Sequence, residues 1–328
     1  MPNDRSGITQ RMTAWLNHHG ITKKNTILVG VSGGTDSMVL AECLYRCGHP
    51  IEVAHVNYQL RGSESDGDAD HVKSWCASRE VMWHEHLTKI NESPDGIQAE
   101  ARRIRYHWFA EIKGQLKDRT ESRVYIATAH HSDDQAETVL LHLLRSSDPL
   151  AQSGIRPMSE DNSLIRPFLD ESRAELEEWA SLWKLQPRQD SSNKKADYLR
   201  NRLRNEVLPL LEKLRPGSAR HIARTAVRLQ PLTAEMQRAV RETVTRCSEK
   251  NGDHWRLNLG PWRAEPLRME ALHWLASHHH VSSKAVQEIA ALTATGIESG
   301  AQFTSNTINI TRKKQALIWT PQRNEPNS

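Results

Sequence analysis

The stretch Ile27-Leu28-Val29-Gly30-Val31-Ser32-Gly33-Gly34-Thr35-Asp36-Ser37-Met38-Val39-Leu40 decides the fold. An apolar run ends in SGGTDS, and a helix-like series continues to Leu44. Strand, glycine turn and helix in that order make a seat for the phosphates of a nucleotide. Gly33 and Gly34 let the backbone turn tightly and approach a ligand, while Ser32, Thr35 and Ser37 supply hydroxyls. The first amides of the following helix, with its positive dipole end, face an anion. The pattern GxxxxGK(S/T) occurs nowhere in the chain, which disfavours a site that grips terminal phosphates with a P-loop lysine. Asp36 stands there instead, and a carboxylate beside polyphosphate calls for a hard cation such as Mg2+ to bridge the two. The plainer alternative is a glycine-rich turn that binds nothing.

Outward from this unit, apolar runs at Ile27–Val31, Ile51–Val56, Val81–Glu85 and Val124–Thr128 alternate with helical patterns at Ser37–Arg46, Ala69–Arg79, Ile97–Lys113 and Asp133–Arg145. The alternation predicts an α/β fold: a parallel sheet with helices on both faces and ligands at the carboxyl ends of its strands. Helical periodicity resumes from Glu171 to Leu214, broken by polar residues 189–195, and Arg215-Pro-Gly-Ser marks a boundary. We therefore expect a nucleotide-binding domain over residues 1–215. Residues 216–328 are expected to hold a basic helical linker to about Lys250 and a small α+β C-terminal unit. In that unit Leu267–Ala294 reads as helix, and Phe303, Ile308, Ile310, Leu317, Ile318 and Trp319 read as a β-hairpin with Arg312-Lys-Lys at its turn.

At 328 residues the length itself points to about two domains. Ile8, Met12, Trp15 and Leu16 follow helical spacing rather than forming a leader, and no apolar run is long enough to span a bilayer, so a soluble, cytoplasmic protein without membrane contact is expected. Four cysteines, Cys43, Cys47, Cys76 and Cys247, include no CxxC pair, which removes the usual spacing of zinc, iron–sulfur and thioredoxin-type centres. The net charge is +4, yet Arg200 to Arg228 holds eight basic residues against Glu206 and Glu212. This segment carries the whole basic excess, as a polyanion-binding face would. Arg220, Arg224 and Arg228 recur every fourth residue, which also suits a solvated helix surface.

After the fourth apolar run comes Ala129-His130-His131-Ser132-Asp133-Asp134-Gln135-Ala136-Glu137-Thr138. Ser132 and Gln135 fit a capping box that starts a helix at Ser132. Asp134 and Glu137, three apart, then share a face. Two such carboxylates hold an ammonium group, a metal ion or a proton, or simply face the helix dipole. A third cluster, Glu100-Ala-Arg-Arg-Ile-Arg-Tyr106, offers Arg102, Arg103 and Arg105 as forked donors for phosphate or as a charged helix face.

Together SGGTDS, HVN at His55–Asn57 with Arg61, EARRIRY, AHHSDDQAET, IRPFLDESRAEL at Ile165–Leu176, DSSN at Asp190–Asn193 and YLRNRLRNEVLP at Tyr198–Pro209 make the chain resemble the tRNA(Ile)-lysidine synthases. These belong to the PP-loop ATP pyrophosphatases, of Rossmann-like nucleotide hydrolase type, and the resemblance covers about residues 25–230. It implies a carbon–nitrogen ligase that uses ATP, with Mg2+, to join free L-lysine to the wobble cytidine of the isoleucine tRNA with a CAU anticodon, releasing AMP and pyrophosphate. It further implies that Ser32, Gly33, Gly34, Thr35, Asp36 and Ser37 cradle pyrophosphate, with Asp36 near the metal, and that Ala127 and His130 lie near the nucleoside. Arg105 would approach the reacting phosphate, and Asp134 and Glu137 would hold the lysine. Asn193, Arg200, Asn201, Arg202 and Arg204 would face the tRNA, as would the C-terminal unit; a homodimer stays open.

The chain departs from the family pattern at Tyr58, where a histidine is frequent, and over Ser146–Gly154, where a glycine-rich loop is usual. It also ends sooner than longer members, so a reduced C-terminal part is expected. Among alternatives, a tRNA thiolase would need reactive or cluster-binding cysteines near the cleft, and a GMP or NAD synthetase would not need the basic Arg200–Arg228 segment. A nucleotide sensor or RNA-binding module would not need Asp134 and Glu137.

Overall fold

The computed structural model describes residues 7–60, 62–90, 96–120, 122–145, 152–188, 198–252 and 254–322. The chain divides into two compact units, residues 1–230 and 231–328.

In the first unit, helix α1 (Gly7–His18) precedes strand β1 (Thr26–Gly30), helix α2 (Thr35–Arg46), strand β2 (Ile51–Asn57), helix α3 (Ser63–Ala77) and strand β3 (Met82–Leu87). Helix α4 (Ile97–Thr120), strand β4 (Val124–Ala127), helix α5 (Ser132–Arg145) and strand β5 (Leu164–Ile165) follow. The strands pair in parallel in the order β3-β2-β1-β4-β5. The two-residue β5, which periodicity did not show, extends the four expected strands to five. β1 carries Thr26, Ile27, Leu28 and Val29 buried, with neighbours on both sides, so its near-continuous apolar run suits a central parallel strand covered on both faces. One core layer packs α1 and α2 on β1, and another packs α4 residues Phe109, Ile112 and Leu116 on Leu28, Ala54 and Ile126. The chain leaves β1 for β2 on one side and returns to β4 on the other, which opens a crevice at the carboxyl ends of β1 and β4.

Gly30 closes β1 directly against this second layer. A Cβ there would stand 2.7 Å from Phe109 Cε2 and 2.8 Å from Cζ, and the Phe109 ring is fully buried. Gly30→Ala is therefore expected to destabilise the first unit by about 1–3 kcal/mol, read as a fall in its denaturant midpoint; an unmoved midpoint would show that the ring gives way freely.

Helices α6 (Arg173–Leu182), α7 (Tyr198–Arg202) and α8 (Leu208–Leu214) follow, with a wide π-helical turn, Leu203–Val207, between the last two. Ala136 and Leu140 of α5 pack on Leu208, Leu211, Ala219 and Ile222, which brings the arginine-rich segment against α5. The long helix α9 (Ser218–Cys247) buries Ala219, Ala223 and Ala226 and leaves Arg224 and Arg228 exposed, while Arg220 reaches Glu175 at 2.5 Å. The Arg215–Ser218 turn comes just before this helix, and the division between the units falls within it, at Gln230 and Pro231.

The second unit holds an antiparallel sheet of order β6-β7-β10-β9-β8, from β6 (Ser248–Asn251), β7 (His254–Asn258), β8 (Gln302–Thr304), β9 (Ile308–Lys313) and β10 (Ala316–Pro321). Helices α10 (Leu259–Ala264), α11 (Arg268–His278) and α12 (Val286–Ala291) complete a core around Trp262, Leu272, Val286 and Trp319. The α+β expectation holds, with two corrections. Strands β6 and β7 occupy a stretch whose first residues were expected to end a helix. Arg312 lies on β9 rather than at the hairpin turn: its side chain is buried and donates to the Leu292 carbonyl at 2.7 Å. The turn is Lys314-Gln315, with Lys314 at φ +46.

Candidate functional site

The SGGTDS loop lies at the end of β1. Gly33 adopts φ +90, a conformation that suits glycine, and its Cα faces the buried Asp68. Ser37 holds the loop closed: its hydroxyl donates to the Gly34 carbonyl at 3.0 Å and accepts from the Ser32 amide at 3.1 Å, with Ser32 Oγ also at 3.1 Å. Gly34 caps α2 with no side-chain cap, so the first amides of α2 are left for an anion. The loop is braced from behind, because the Arg188 amide donates to the Gly33 carbonyl at 3.2 Å and its guanidinium donates to Asp68 at 2.7 Å. Sequence reasoning had no means of pairing Arg188 with Asp68.

His131, at the end of the β4–α5 connection, links this loop to the acidic helix start. It is buried, and its Nε2 lies 3.6 Å from Asp36 and 3.4 Å from Asp134, with Nδ1 3.5 Å from Asp133. Burial alone would lower the pKa of His131, yet Asp134, Asp133 and Asp36 raise it to about 10, so the imidazolium joins three carboxylates. Asp133 is held down to about 2, against its burial, chiefly by His131. The remaining buried oxygen of Asp36, Oδ1, has no partner among the described residues.

The capping geometry differs from the expected box. Asp134 Oδ2 accepts the His131 amide at 3.1 Å, while Gln135 turns away to join the backbone of Ile155, donating at 3.0 Å and accepting at 2.5 Å. Gln135 is held there by the Ile155 backbone, whose carbonyl also accepts from Gln230 at 2.9 Å, and Gly154 leaves room for its amide.

Asp134 and Glu137 do share a face, and two arginines occupy it. Arg204 donates from Nε to Glu137 Oε1 at 2.5 Å and from Nη2 to Glu137 Oε2 at 2.9 Å and Asp134 Oδ1 at 3.1 Å. Arg200 adds Nε to Glu137 Oε2 at 3.1 Å and Nη2 to Thr138 Oγ1 at 3.2 Å. Glu137 is 1% exposed, so both its oxygens are spoken for inside the fold. Asp134 stays ionised below the usual carboxylate range: its burial opposes this, and the His131 imidazolium, the His131 amide and Arg204 outweigh it. The pocket formed by these two acids thus holds a delocalised cation. Of the other residues expected to face RNA, Arg202 is exposed and pairs with Glu206 at 3.0 Å, Asn201 is half-buried, and Asn193 lies outside the described residues, as do Arg61 and 146–151.

At the end of β4, Ala127 is fully buried, and just beyond it His130 Nδ1 sits 3.0 Å from Thr128 Oγ1. Burial first, then Arg166, Arg102 and Arg105, pushes the His130 pKa down to about 3, so its ring is neutral. Arg105 rises from α4 over the Tyr106 ring. Arg166, just after β5, belongs to this group, and its signal in the sequence was an arginine directly following an apolar pair. Tyr58 takes a structural part, its hydroxyl donating to the Ala101 carbonyl at 2.8 Å.

A model of the PP-loop domain family matches residues 5–211. The tRNA(Ile)-lysidine synthase of Porphyromonas gingivalis is 29% identical over 299 residues, 90% of this chain and 63% of that protein. That of Parabacteroides distasonis is 32% identical over 309 residues, 92% of this chain and 67% of that protein. The chain therefore spans about two thirds of the length of these curated relatives. Among solved structures, a U34-tRNA thiolase from Methanococcus maripaludis with its 4Fe-4S cluster superimposes with a TM-score of 0.55 at 20% identity, covering 68% of this chain and 78% of that one; the likeness is one of fold. With the parallel sheet, the glycine loop after β1 and these relatives taken together, the chain belongs to the PP-loop family, on its tRNA(Ile)-lysidine synthase branch.

Proposed function

We propose that the protein ligates L-lysine to C2 of the wobble cytidine in tRNA(Ile) bearing a CAU anticodon, at the expense of ATP, in the cytoplasm. The observation that supports this most is the adjacency of an anion seat and a cation seat. His131 touches Asp36 of the SGGTDS loop and Asp134 of the acidic pair, and that pair already holds a guanidinium.

The chemistry needs both seats. The C2 oxygen of cytosine leaves poorly, so it first attacks the α-phosphorus of ATP; an O–P bond forms, the α–β bridge breaks and pyrophosphate departs. The lysine amine then attacks C2 and AMP leaves with the former C2 oxygen, which splits one hard substitution into two easier ones. The loop amides and hydroxyls hold pyrophosphate in place, and Arg105 faces the reacting phosphate. Asp36 fits as the protein's ligand for Mg2+, because its buried Oδ1 has no partner among the described residues and hard cations take carboxylate and phosphate oxygens together. The metal would neutralise phosphate charge. Asp134 and Glu137 receive the lysine ammonium once Arg204 and Arg200 yield it. A lysine amine near its ordinary pKa of about 10.4 must lose a proton to attack, and carboxylates that bind the ammonium resist that loss. Desolvation of the closed site or the departing phosphate group has to tip the balance.

Cys43 lies on α2, Cys47 directly after it, Cys76 near the end of α3 and Cys247 at the end of α9; all four are free and none forms a CxxC pair, which speaks against a cluster-bearing thiolase. The test supplies labelled lysine, ATP and tRNA(Ile) and asks for label in the RNA that survives mild alkaline deacylation. Stable incorporation that depends on ATP is expected. Folded protein that binds the RNA and transfers no label would sink the proposal.

A further inference from the structure

Arg166 is 9% exposed, and its position is costly. Its Nη1 donates to the Arg156 carbonyl at 2.7 Å, but its Nε is buried with no partner among the described residues. Arg105 Nε is likewise buried with no partner among the described residues, and the buried Tyr106 hydroxyl has Arg166 as its near neighbour. The guanidinium carbons of Arg102 and Arg105 stand 4.8 Å and 5.3 Å from the centre of the Tyr106 ring. Among the described residues no carboxylate pairs with Arg102, Arg105 or Arg166; Glu100, on the same helix, is taken by Arg103 at 2.6 Å. Three arginines crowd together, their field acting on the neutral His130 beside them.

Buried charges without counter-charges are expensive, and each unpaired buried donor calls for a partner. Four parallel features converge here: forked donors, an aromatic hydroxyl donor, absent acidic partners and a place at the carboxyl end of β4 and β5. We infer that Arg166, with Arg102, Arg105 and Tyr106, forms a seat for a phosphate group, across β4 in strand order from the SGGTDS loop. The guanidinium forks and the tyrosine hydroxyl supply the donors that a tetrahedral phosphate accepts, and the dianion or monoanion supplies the missing negative charge. Two sources carry that group into the crevice: the α-phosphate of ATP and a phosphodiester of RNA. The inference rests on the nucleotide reading of the crevice and not on which amine reacts.

Binding decides it, without turnover. Arg166→Gln and Arg102→Gln are compared with the parent protein in two arms: ATP with Mg2+ in the absence of RNA, and a CAU anticodon stem-loop RNA in the absence of ATP, the latter over a range of salt. Each variant is expected to lose about tenfold in affinity in one arm. Loss in the ATP arm assigns the seat to the α-phosphate. Loss in the RNA arm, with a salt slope shallower by about 0.7–0.9, assigns it to a phosphodiester. Parent-like affinity within twofold in both arms overturns the inference. Arg102 is exposed, so Arg102→Gln alone decides between these outcomes should Arg166→Gln not fold, as judged by circular dichroism. A seat that behaves as expected while no lysine enters tRNA would sink the lysidine proposal and leave this one standing.

Discussion

Asp36→Ala is expected to reduce ATP-dependent pyrophosphate release by about 100-fold or more, a loss of the size seen when one preorganised electrostatic group is removed from a reacting centre. The expectation follows from position. Asp36 is on the first turn of α2, its Oδ1 is buried without a partner among the described residues, and its Oδ2 faces the His131 imidazolium. Removing it takes away the fitted Mg2+ ligand and leaves His131 with two carboxylates instead of three. Titrating Mg2+ in the assay separates these effects: a metal role shifts the Mg2+ requirement upward or abolishes the response, whereas a role confined to His131 leaves the titration midpoint in place. Unchanged turnover at ordinary Mg2+ would remove Asp36 from the site altogether.

The largest effect on stability is expected at Glu137. Glu137→Ala deletes the acceptor shared by Arg204 and Arg200 and leaves them only Asp134 and Thr138, which costs about 3 kcal/mol. The upper part of the usual range is not expected, because Arg204 and Arg200 keep 30% and 39% of their side chains in water. Chemical denaturation of the full chain measures it. Glu137→Gln, which keeps the shape and an acceptor, should recover part of the stability while still failing to capture an ammonium group. Both variants are expected to bind tRNA and to lose lysine transfer. A denaturation midpoint equal to the parent's would mean that the pair adds nothing to the fold, and retained transfer would exclude Glu137 from amine binding.

The βα alternation and the glycine loop were legible because each is written in neighbouring residues: an apolar run, a turn that only glycine enters easily, and a helix start. The small α+β unit was legible for the same reason. What was lost needed partners far along the chain. Strand β5 is two residues long and exists because β4 offers it an edge, so no periodicity announces it. Gln135 looked like half of a capping box until Gly154 and Ile155, about twenty positions away, claimed its amide. Arg312 follows Ile308 and Ile310 with period two, and that alternation already placed it inward; a cluster of three basic residues read more readily as a turn. The acidic pair was found from spacing alone, whereas its occupation by arginines 63 and 67 positions further on could come only from the fold.

That occupation bears on any search for inhibitors. An amine that enters between Asp134 and Glu137 meets a seat already taken, so its measured dissociation constant is the intrinsic one divided by the fraction of molecules from which Arg204 and Arg200 have withdrawn. A screen on the free protein would rank compounds by how well they evict an arginine rather than by how well they mimic lysine. Screening the same compounds against an Arg204→Met protein, or with RNA drawing the arginines away, would reorder that ranking, and the amines that rise are the ones suited to the vacant pocket.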